Sequence, residues 1–262
     1  MNLEKITLEV TTLCRLVGTF IKEQSEKVQS SDIKVKGLHD LVSYVDKEAE
    51  RRLIERLREL LPSSGFIAEE SGTYTSKNLN WIIDPLDGTT NFLHKIPIFS
   101  ISIALQENNE TILGVVYEIN LDECFYAWKG SPAYLNGKII HVSTTDHLQQ
   151  SLIATGFPYN DFSRMNPYLL LFDDLLRNTR GVRRLGSAAA DLAYVACGRF
   201  DTFYEYSLHP WDVAGGAFIV QQAGGIVSRF NGDDDFVFGK EIVASNAVLH
   251  DKMLEKIRIY FG

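Results

Sequence analysis

Acidic side chains in four short segments are what could do chemistry in this 262-residue chain. In WIIDPLDGTTNF, three apolar residues run into Asp84, Pro85 stiffens the backbone, and Asp87 precedes Gly88, Thr89 and Thr90. Two carboxylates held close repel unless a cation lies between them. Magnesium suits such a pair, because it takes hard oxygen ligands and keeps positions for water and phosphate. Gly88 permits a tight turn, the threonines bring hydroxyls, and a helix start there offers N–H groups to a phosphate. The alternative is a plain turn with Asp87-Gly88 at its corner and Asp84 as a cap, since short motifs match falsely often. Other acids decide between them. In GFIAEESG, Glu69 and Glu70 end a strand and point to opposite faces, so only one can share a site with Asp84. In HPWDVAGG, Asp212 falls at the first position of a helix, as cap or ligand. In LVSYVDKEAE, Asp46 interrupts an apolar segment at a helix start.

The elements that must position these acids follow from periodicity. Leu13, Leu16, Val17, Phe20 and Ile21, then Leu53, Ile54, Leu57, Leu60 and Leu61, recur at helical spacing. They predict two amphipathic helices joined by the polar SSDIKVKGLHD. The runs GFIAE, LNWIID, ISIALQE, ILGVVYEI and ECFYAWKG read as strands of an antiparallel meander, their connections being too short for crossover helices. After SLIATG the pattern alternates: helix at SAAADLAYVACG, strand at FDTFYEY, glycine-closed helix at DVAGGAFIVQQAGG, strand at EIVASN, then a final helix. The expected organisation is an N-terminal α+β part, 1–145, with most of the acids, and a C-terminal α/β part, 146–262, together one unit.

Composition limits the functions open to this chain. With 45% hydrophobic and 23% charged residues it reads as globular. Its net charge of −8 argues against nucleic acid held through phosphates, and the one dense cationic patch is Arg180, Arg183 and Arg184. Three unpaired cysteines, Cys14, Cys124 and Cys197, suit a reducing compartment. No window has the apolar length of a membrane span, so the expectation is a soluble, cytoplasmic protein without a membrane partner.

With four ordered segments in view, the chain resembles the inositol monophosphatase family of magnesium-dependent, lithium-sensitive phosphatases. DPLDGTTNF is similar to its first signature and WDVAGGAFIVQQAGG to its second, with EES and DLVSYVD in the expected order; YLNGKIIHVS, LIATGFPY and RRLGSAAADLAYVACGRFD extend the likeness over almost the whole chain. The resemblance implies a five-layered α-β-α-β-α sandwich, an α/β (α+β) fold, usually dimeric. It implies metal ligation by Glu69, Asp84, the Leu86 carbonyl, Asp87 and Asp212, with two or three Mg2+ per site. It matches Asp46 and Thr89, with Glu69, to activation of the attacking water, and Gly88, Thr89 and Thr90 to the phosphate. Gly186, Ser187, Ala188, Glu205 and Asp212 match the positions that touch the substrate.

That chemistry is hydrolysis of a phosphate monoester by activated water, without a covalent intermediate. Inositol 1-phosphate is the favoured substrate, because DGTTNF is the form typical of the inositol group and Glu205 suits a hydroxylated ring. Fructose 1,6-bisphosphate, 3′-phosphoadenosine 5′-phosphate and histidinol phosphate are the alternatives. Haloacid dehalogenases also carry Asp-Gly-Thr, but their nucleophile pair is absent: Pro85 stands two before Asp87 and Leu86 two after Asp84. Ser187 stands where many relatives have threonine, and Asp233 to Asp235 read as a solvated turn. His94 and His209 lack metal-like spacing, and Trp81, Trp128 and Trp211 read as core aromatics. A regulatory binding protein with vestigial activity is the reading from another class.

Overall fold

The chain opens with a helix whose buried residues, Val10, Leu13, Cys14, Val17 and Ile21, fall three and four apart along one stripe. Leu16, expected on that stripe, lies one position off it and is 69% exposed. The computed structural model describes residues 1–28, 34–37, 40–76 and 78–262, with backbone alone at 34–37 and 40–42. In chain order the helices are α1 (Leu3–Ser25), α2 (Tyr44–Leu60), α3 (Thr89–Leu93), α4 (Met165–Asn178), α5 (Ala188–Ala196), α6 (Pro210–Gln222) and α7 (His250–Phe261). Part of SSDIKVKGLHD lies outside the described residues. The rest forms a small antiparallel hairpin, β1 (Lys34–Gly37) with β2 (Asp40–Val42).

Two larger sheets carry the fold. The first comprises β3 (Gly65–Ala68), β4 (Gly72–Tyr74), β5 (Leu79–Asp87), β6 (Ser100–Glu107), β7 (Glu110–Glu118), β8 (Glu123–Trp128), β9 (Ala133–Leu135) and β10 (Lys138–Ile140). Their spatial order is β10-β9-β8-β7-β6-β5-β3-β4. From β5 to β10 it is the expected meander, but GFIA and LNWIID pair in parallel. No helix is needed for that crossover, because β4 hairpins back on the outer edge of β3 before the chain returns to β5. The second sheet comprises β11 (Leu152–Thr155), β12 (Gly181–Arg183), β13 (Thr202–Tyr206), β14 (Gly225–Ser228) and β15 (Glu241–Asn246), in the order β12-β11-β13-β15-β14. Pattern reading did not separate out β12, β14 or α4; α4 buries only Tyr168, Leu171 and Leu175 and leaves Leu169 and Leu170 exposed.

Three large apolar cores, with a smaller cluster of Ile67, Ile82, Ala104 and Ala214 between the first sheet and α6, hold five layers together. One lies between α1, α2 and the first sheet, through residues such as Leu53, Trp81 and Leu105. A second fills the space between the sheets, where Ala189, Leu192, Ala217 and Ile219 of α5 and α6 meet Val116, Phe125 and Phe203. The third packs Tyr168, Leu171, Met253 and Ile257 of α4 and α7 against Tyr204 and Val243. The order α-β-α-β-α agrees with the resemblance. Each fully buried Leu, Ile or Phe contributes about 1.5–3 kcal/mol.

Two glycines bring the middle helices close. A Cβ on Gly114 of β7 would sit 2.5 Å from the Gly215 carbonyl oxygen of α6, and one on Gly216 would sit 2.6 Å from the Leu192 Cβ of α5. The paired glycines after Asp212 therefore let α6 lie directly on both neighbours, which fixes where its first turn points.

Candidate active site

Strand parity decides which acids can meet. Trp81 and Ile83 of β5 face the core under α1 and α2, whereas Ile82 faces Ala214 of α6, so Asp84 also points toward α6. Asp87, three residues on, would face away in a regular strand. Instead Asp84 stands opposite Ser102 and Asp87 opposite Ser100, three residues against two, which is a β-bulge. The bulge restores Asp87 to the face of Asp84 and turns Leu86 into the outer core. The strand thus runs through both aspartates instead of ending at Asp84, and Pro85, lacking an N–H, sits where the ladder is interrupted.

The same parity selects between the glutamates. Phe66 and Ala68 of β3 face the outer core and Ile67 faces α6, so Glu69 continues on the α6 side. Its N–H bonds to the Ile83 carbonyl at 3.3 Å, next to Asp84. Buried Glu50 of α2 accepts from the N–H groups of Glu70 and Ser71, both at 2.8 Å, and pins the turn; pattern reading missed it. Asp212 is the third residue of α6, not the first, because Pro210 takes the first position, which needs no N–H. There its Oδ2 accepts from the His209 N–H at 2.7 Å.

These residues line one cleft of about 450 Å3 between the sheets. Glu69, Asp84, Leu86, Asp87, Gly88, Thr89, Thr90, Gly186, Ser187, Ala188, Glu205 and Asp212 all contribute to its wall. Asp46 lies behind it, buried, with Oδ2 capping Ser43 and Oδ1 accepting from the Thr89 hydroxyl at 2.9 Å. Thr89 Oγ is also 2.9 Å from the Leu86 carbonyl oxygen. Gly88 caps α3 with φ of 96°, a conformation costly for any side chain.

Several residues belong to the wall that sequence reasoning set elsewhere. Trp211 is half-buried: it packs against the cluster of Ile67, Ile82, Ala104 and Ala214 and also lines the cleft, stacked on His209 with ring centroids 4.8 Å apart. Arg184 departs from its cationic neighbours to line the cleft, as do Glu70, Tyr159, Asn160 and Asp191. Glu70, Tyr159, Arg184 and Asp191 lie within stretches that carry the family likeness, but nothing in their type or spacing singled them out, because the fold brings them in from separate segments. Trp81 is core as expected, Cys14 and Cys124 are buried free thiols, and Asp233 to Asp235 are exposed.

Anchoring and repulsion coexist here. Asp84 Oδ1 accepts from the Leu86 N–H at 2.9 Å, and Asp87 Oδ2 accepts from the Ser187 hydroxyl and the Ala189 N–H, each at 2.7 Å. Each carboxylate is thereby anchored to nearby chain. Burial, then the charges of Glu69, Asp87 and Asp212, hold Asp84 well above the usual carboxylate range. Burial, then Asp87, does the same to Asp212. Burial lifts Asp87 to about 6 against the bonds from Ser187 and Ala189, and lifts Glu205 to about 8 against the pull of Arg184. Burial also raises Asp46, opposed by its bonds from Ser43 and Thr89. A cluster of hard-oxygen donors that raise one another is what a divalent cation would relieve, so the residues fit magnesium. As the side chains stand, no three acids among the described residues already enclose an ion.

Five layers with an acid-lined cleft at the junction of two sheets define a layered α/β protein with a site suited to divalent cations. The chain belongs to the inositol monophosphatase family, whose model matches residues 2–260. It is 40% identical over 246 residues to the Nus factor SuhB of Escherichia coli strain K12, covering 93% of this chain and 92% of that one. It is 41% identical over 237 residues to the inositol-1-monophosphatase of Caulobacter vibrioides, covering 88% and 93%. Its fold is similar to the extragenic suppressor protein SuhB from Bartonella henselae, with a TM-score of 0.93, 36% identity and coverage of 97% and 98%. Among the described residues no helix is long and apolar enough to cross a membrane.

Proposed function

We propose that the protein hydrolyses a small phosphate monoester, with inositol 1-phosphate as the favoured substrate. The observation that carries this is the convergence of Glu69, Asp84, Asp87 and Asp212 on one cleft, beside a Thr89 hydroxyl bonded to buried Asp46. Two or three magnesium ions held by Glu69, Asp84, the Leu86 carbonyl, Asp87 and Asp212 would acidify water and neutralise charge on the phosphoryl and leaving oxygens. The protein's own residues do the rest. Thr89 has one hydroxyl proton to donate to Asp46 or to the Leu86 carbonyl, which leaves its oxygen able to accept a hydrogen bond from water, and a proton taken from that water would pass through the hydroxyl to Asp46. Asp46, fixed by Ser43, holds that hydroxyl in place, and Glu69, pinned through Glu50, sits beside Asp84. The first N–H groups of a helix have no internal acceptor, which suits Gly88, Thr89 and Thr90 to the phosphate. Glu205 and the Gly186, Ser187 and Ala188 wall receive the hydroxylated part. A Cβ on Gly156 would lie 2.1 Å from the Glu205 carboxyl, so only glycine lets that carboxyl stand there.

A homodimer has apolar surface to use, since Leu169 and Leu170 of α4 are exposed. A second reading, in which partner binding is the main role, draws support from the name Nus factor borne by relatives such as that of Escherichia coli. The charge of −8 speaks against nucleic acid held by phosphates and leaves protein partners open.

The deciding experiment measures phosphate release with magnesium, with and without lithium, on inositol 1-phosphate, fructose 1,6-bisphosphate, 3′-phosphoadenosine 5′-phosphate and histidinol phosphate. Lithium-sensitive turnover fastest on inositol 1-phosphate is the expected result. Preference for another ester keeps the chemistry and replaces the substrate. Folded, metal-loaded protein inert on all four leaves partner binding as the reading.

A further inference from the structure

Two buried polar atoms of the cleft wall find no hydrogen-bond partner among the described residues. Asp191, in the first turn of α5, is 1% exposed and lines the cleft, yet its Oδ1 accepts no hydrogen bond. Arg184 lines the same cleft, and its buried Nε donates none. Among the described residues no ion pair joins the two, although each feels the other's charge. A buried carboxylate with an unmatched oxygen is costly, and a structural role would be expected to come with bonds that this one lacks. A carboxylate early in a helix favours the dipole, but that effect does not require burial at a cleft wall.

Arg184 is held in readiness. Its Nη2 donates to the Tyr159 hydroxyl at 3.0 Å, and its guanidinium lies over the rings of Phe157 and Tyr159, 5.6 and 5.9 Å from their centres. A Cβ on Gly186, whose φ is 93°, would come within 2.6 Å of Nη1, so that glycine makes room for the fork. A clamped donor and a buried acceptor that do not reach each other are complementary to one kind of group. A hydroxyl both accepts and donates.

We infer that Asp191 and Arg184 form a specificity-determining corner that reads one ring hydroxyl of a polyol phosphate, the hydroxyl donating to the Asp191 carboxylate and accepting from the Arg184 guanidinium. This rests on the phosphatase reading above and deepens it, adding a second hydroxyl-reading point beside Glu205. A site built to bond a hydroxyl rejects the analogue lacking it more strongly than an apolar pocket rejects an added one. The corner therefore selects for a polyol over a plain ester.

The test compares kcat/KM of the wild-type chain, Asp191→Leu and Asp191→Asn on inositol 1-phosphate, on its single-deoxy analogues and on phenyl phosphate, with melting temperatures for each protein. Removing one particular hydroxyl is expected to cost the wild type about tenfold, chiefly in KM, and the leucine variant less than about twofold. Asp191→Asn, which keeps an acceptor oxygen, falls between, and Asp191→Leu melts no lower than wild type because an unmatched buried carboxylate is gone. Equal hydroxyl dependence in wild type and Asp191→Leu overturns the inference. So does a lower melting temperature with equal losses on inositol 1-phosphate and phenyl phosphate, which would make Asp191 structural. Wild-type turnover of phenyl phosphate but of no polyol phosphate removes the substrate reading and this corner with it, while an inert wild type removes the hydrolase reading itself.

Discussion

The two walls of the cleft are built on different terms. On the first sheet's side, Asp84 is fixed by a backbone N–H two residues on, Glu69 by the neighbouring strand and Asp46 by its own helix cap. These three acids are tied to nearby chain, and what is unmet around Asp84 is charge. On the second sheet's side, Glu205 stands on β13 against a bare Gly156, while Asp191 and Arg184 are clamped around atoms that have no partner. There the unmet requirement is hydrogen bonding. A wall short of positive charge suits a cation and a phosphate; a wall short of hydrogen-bond partners suits hydroxyls. Asp87 crosses between them, since it lies on β5 and accepts from Ser187 and Ala189 at the start of α5.

The contrast can be broken most forcefully at Asp84. Asp84→Asn should lower phosphate release on the order of a thousandfold, several kcal/mol of lost charge stabilisation, on every ester tested. In metal-free protein its melting temperature should hold or rise, because a carboxylate repelled by Glu69, Asp87 and Asp212 is removed. A variant that keeps its activity would mean that the first wall holds no cation. Chelation makes the complementary check: stripping divalent metal should abolish release, and added magnesium should restore it.

On the opposite wall the expected effect is smaller and selective. Glu205→Gln should raise KM for inositol 1-phosphate about tenfold with kcat nearly kept, as for a contact made equally in ground and transition states. A fall in kcat without a change in KM would move Glu205 to the chemical side and erase the distinction.

The packing that joins the walls gives an effect on stability instead. Gly114→Ala forces a Cβ to within 2.5 Å of the Gly215 carbonyl, backbone against backbone, and should cost about 1–3 kcal/mol in denaturant unfolding. Activity should fall too as Asp212 shifts with α6. Unchanged unfolding would show that the helix does not depend on that close approach.

The mildest test lies outside both walls. His250 is buried between the Ser228 and Ser245 hydroxyls, at 2.9 and 3.0 Å, and burial lowers its pKa below 6.5. With the folded value depressed, the unfolded chain binds the extra proton first. Its stability contribution is therefore full above pH 6.5 and drains away as pH falls through that value. His250→Gln should flatten this part of the stability profile; an unchanged profile would assign the acid sensitivity to other groups.

Much of this was legible from the chain alone wherever the determinants are local. Helical spacing marked α1 and α2 because one stripe of each is apolar, and EIVASN matched β15 residue for residue. The acids of DPLDGTTNF, the EES turn and WDVAGG declared themselves by type and spacing, and the family by their order. Other features required neighbours distant in sequence. The parallel pairing of β3 with β5 depends on where β4 turns back, and the bulge that puts Asp84 and Asp87 on one face appears only against Ser102 and Ser100. Leu16 follows an apolar spacing, yet among the described residues it stays exposed. Glu50, Arg184 and Asp191 were not singled out by type or spacing, although the last two lie in RRLGSAAADLAYVACGRFD; they matter because folding buries them, where a hydrogen bond made or missing acquires an energy it lacks in water. The sequence by itself determined which side chains could bear the chemistry. Tertiary structure decided which of them face one another, because facing is set by strand register, a bulge and two glycines, and unmet charge or bonding exists only once water has been excluded.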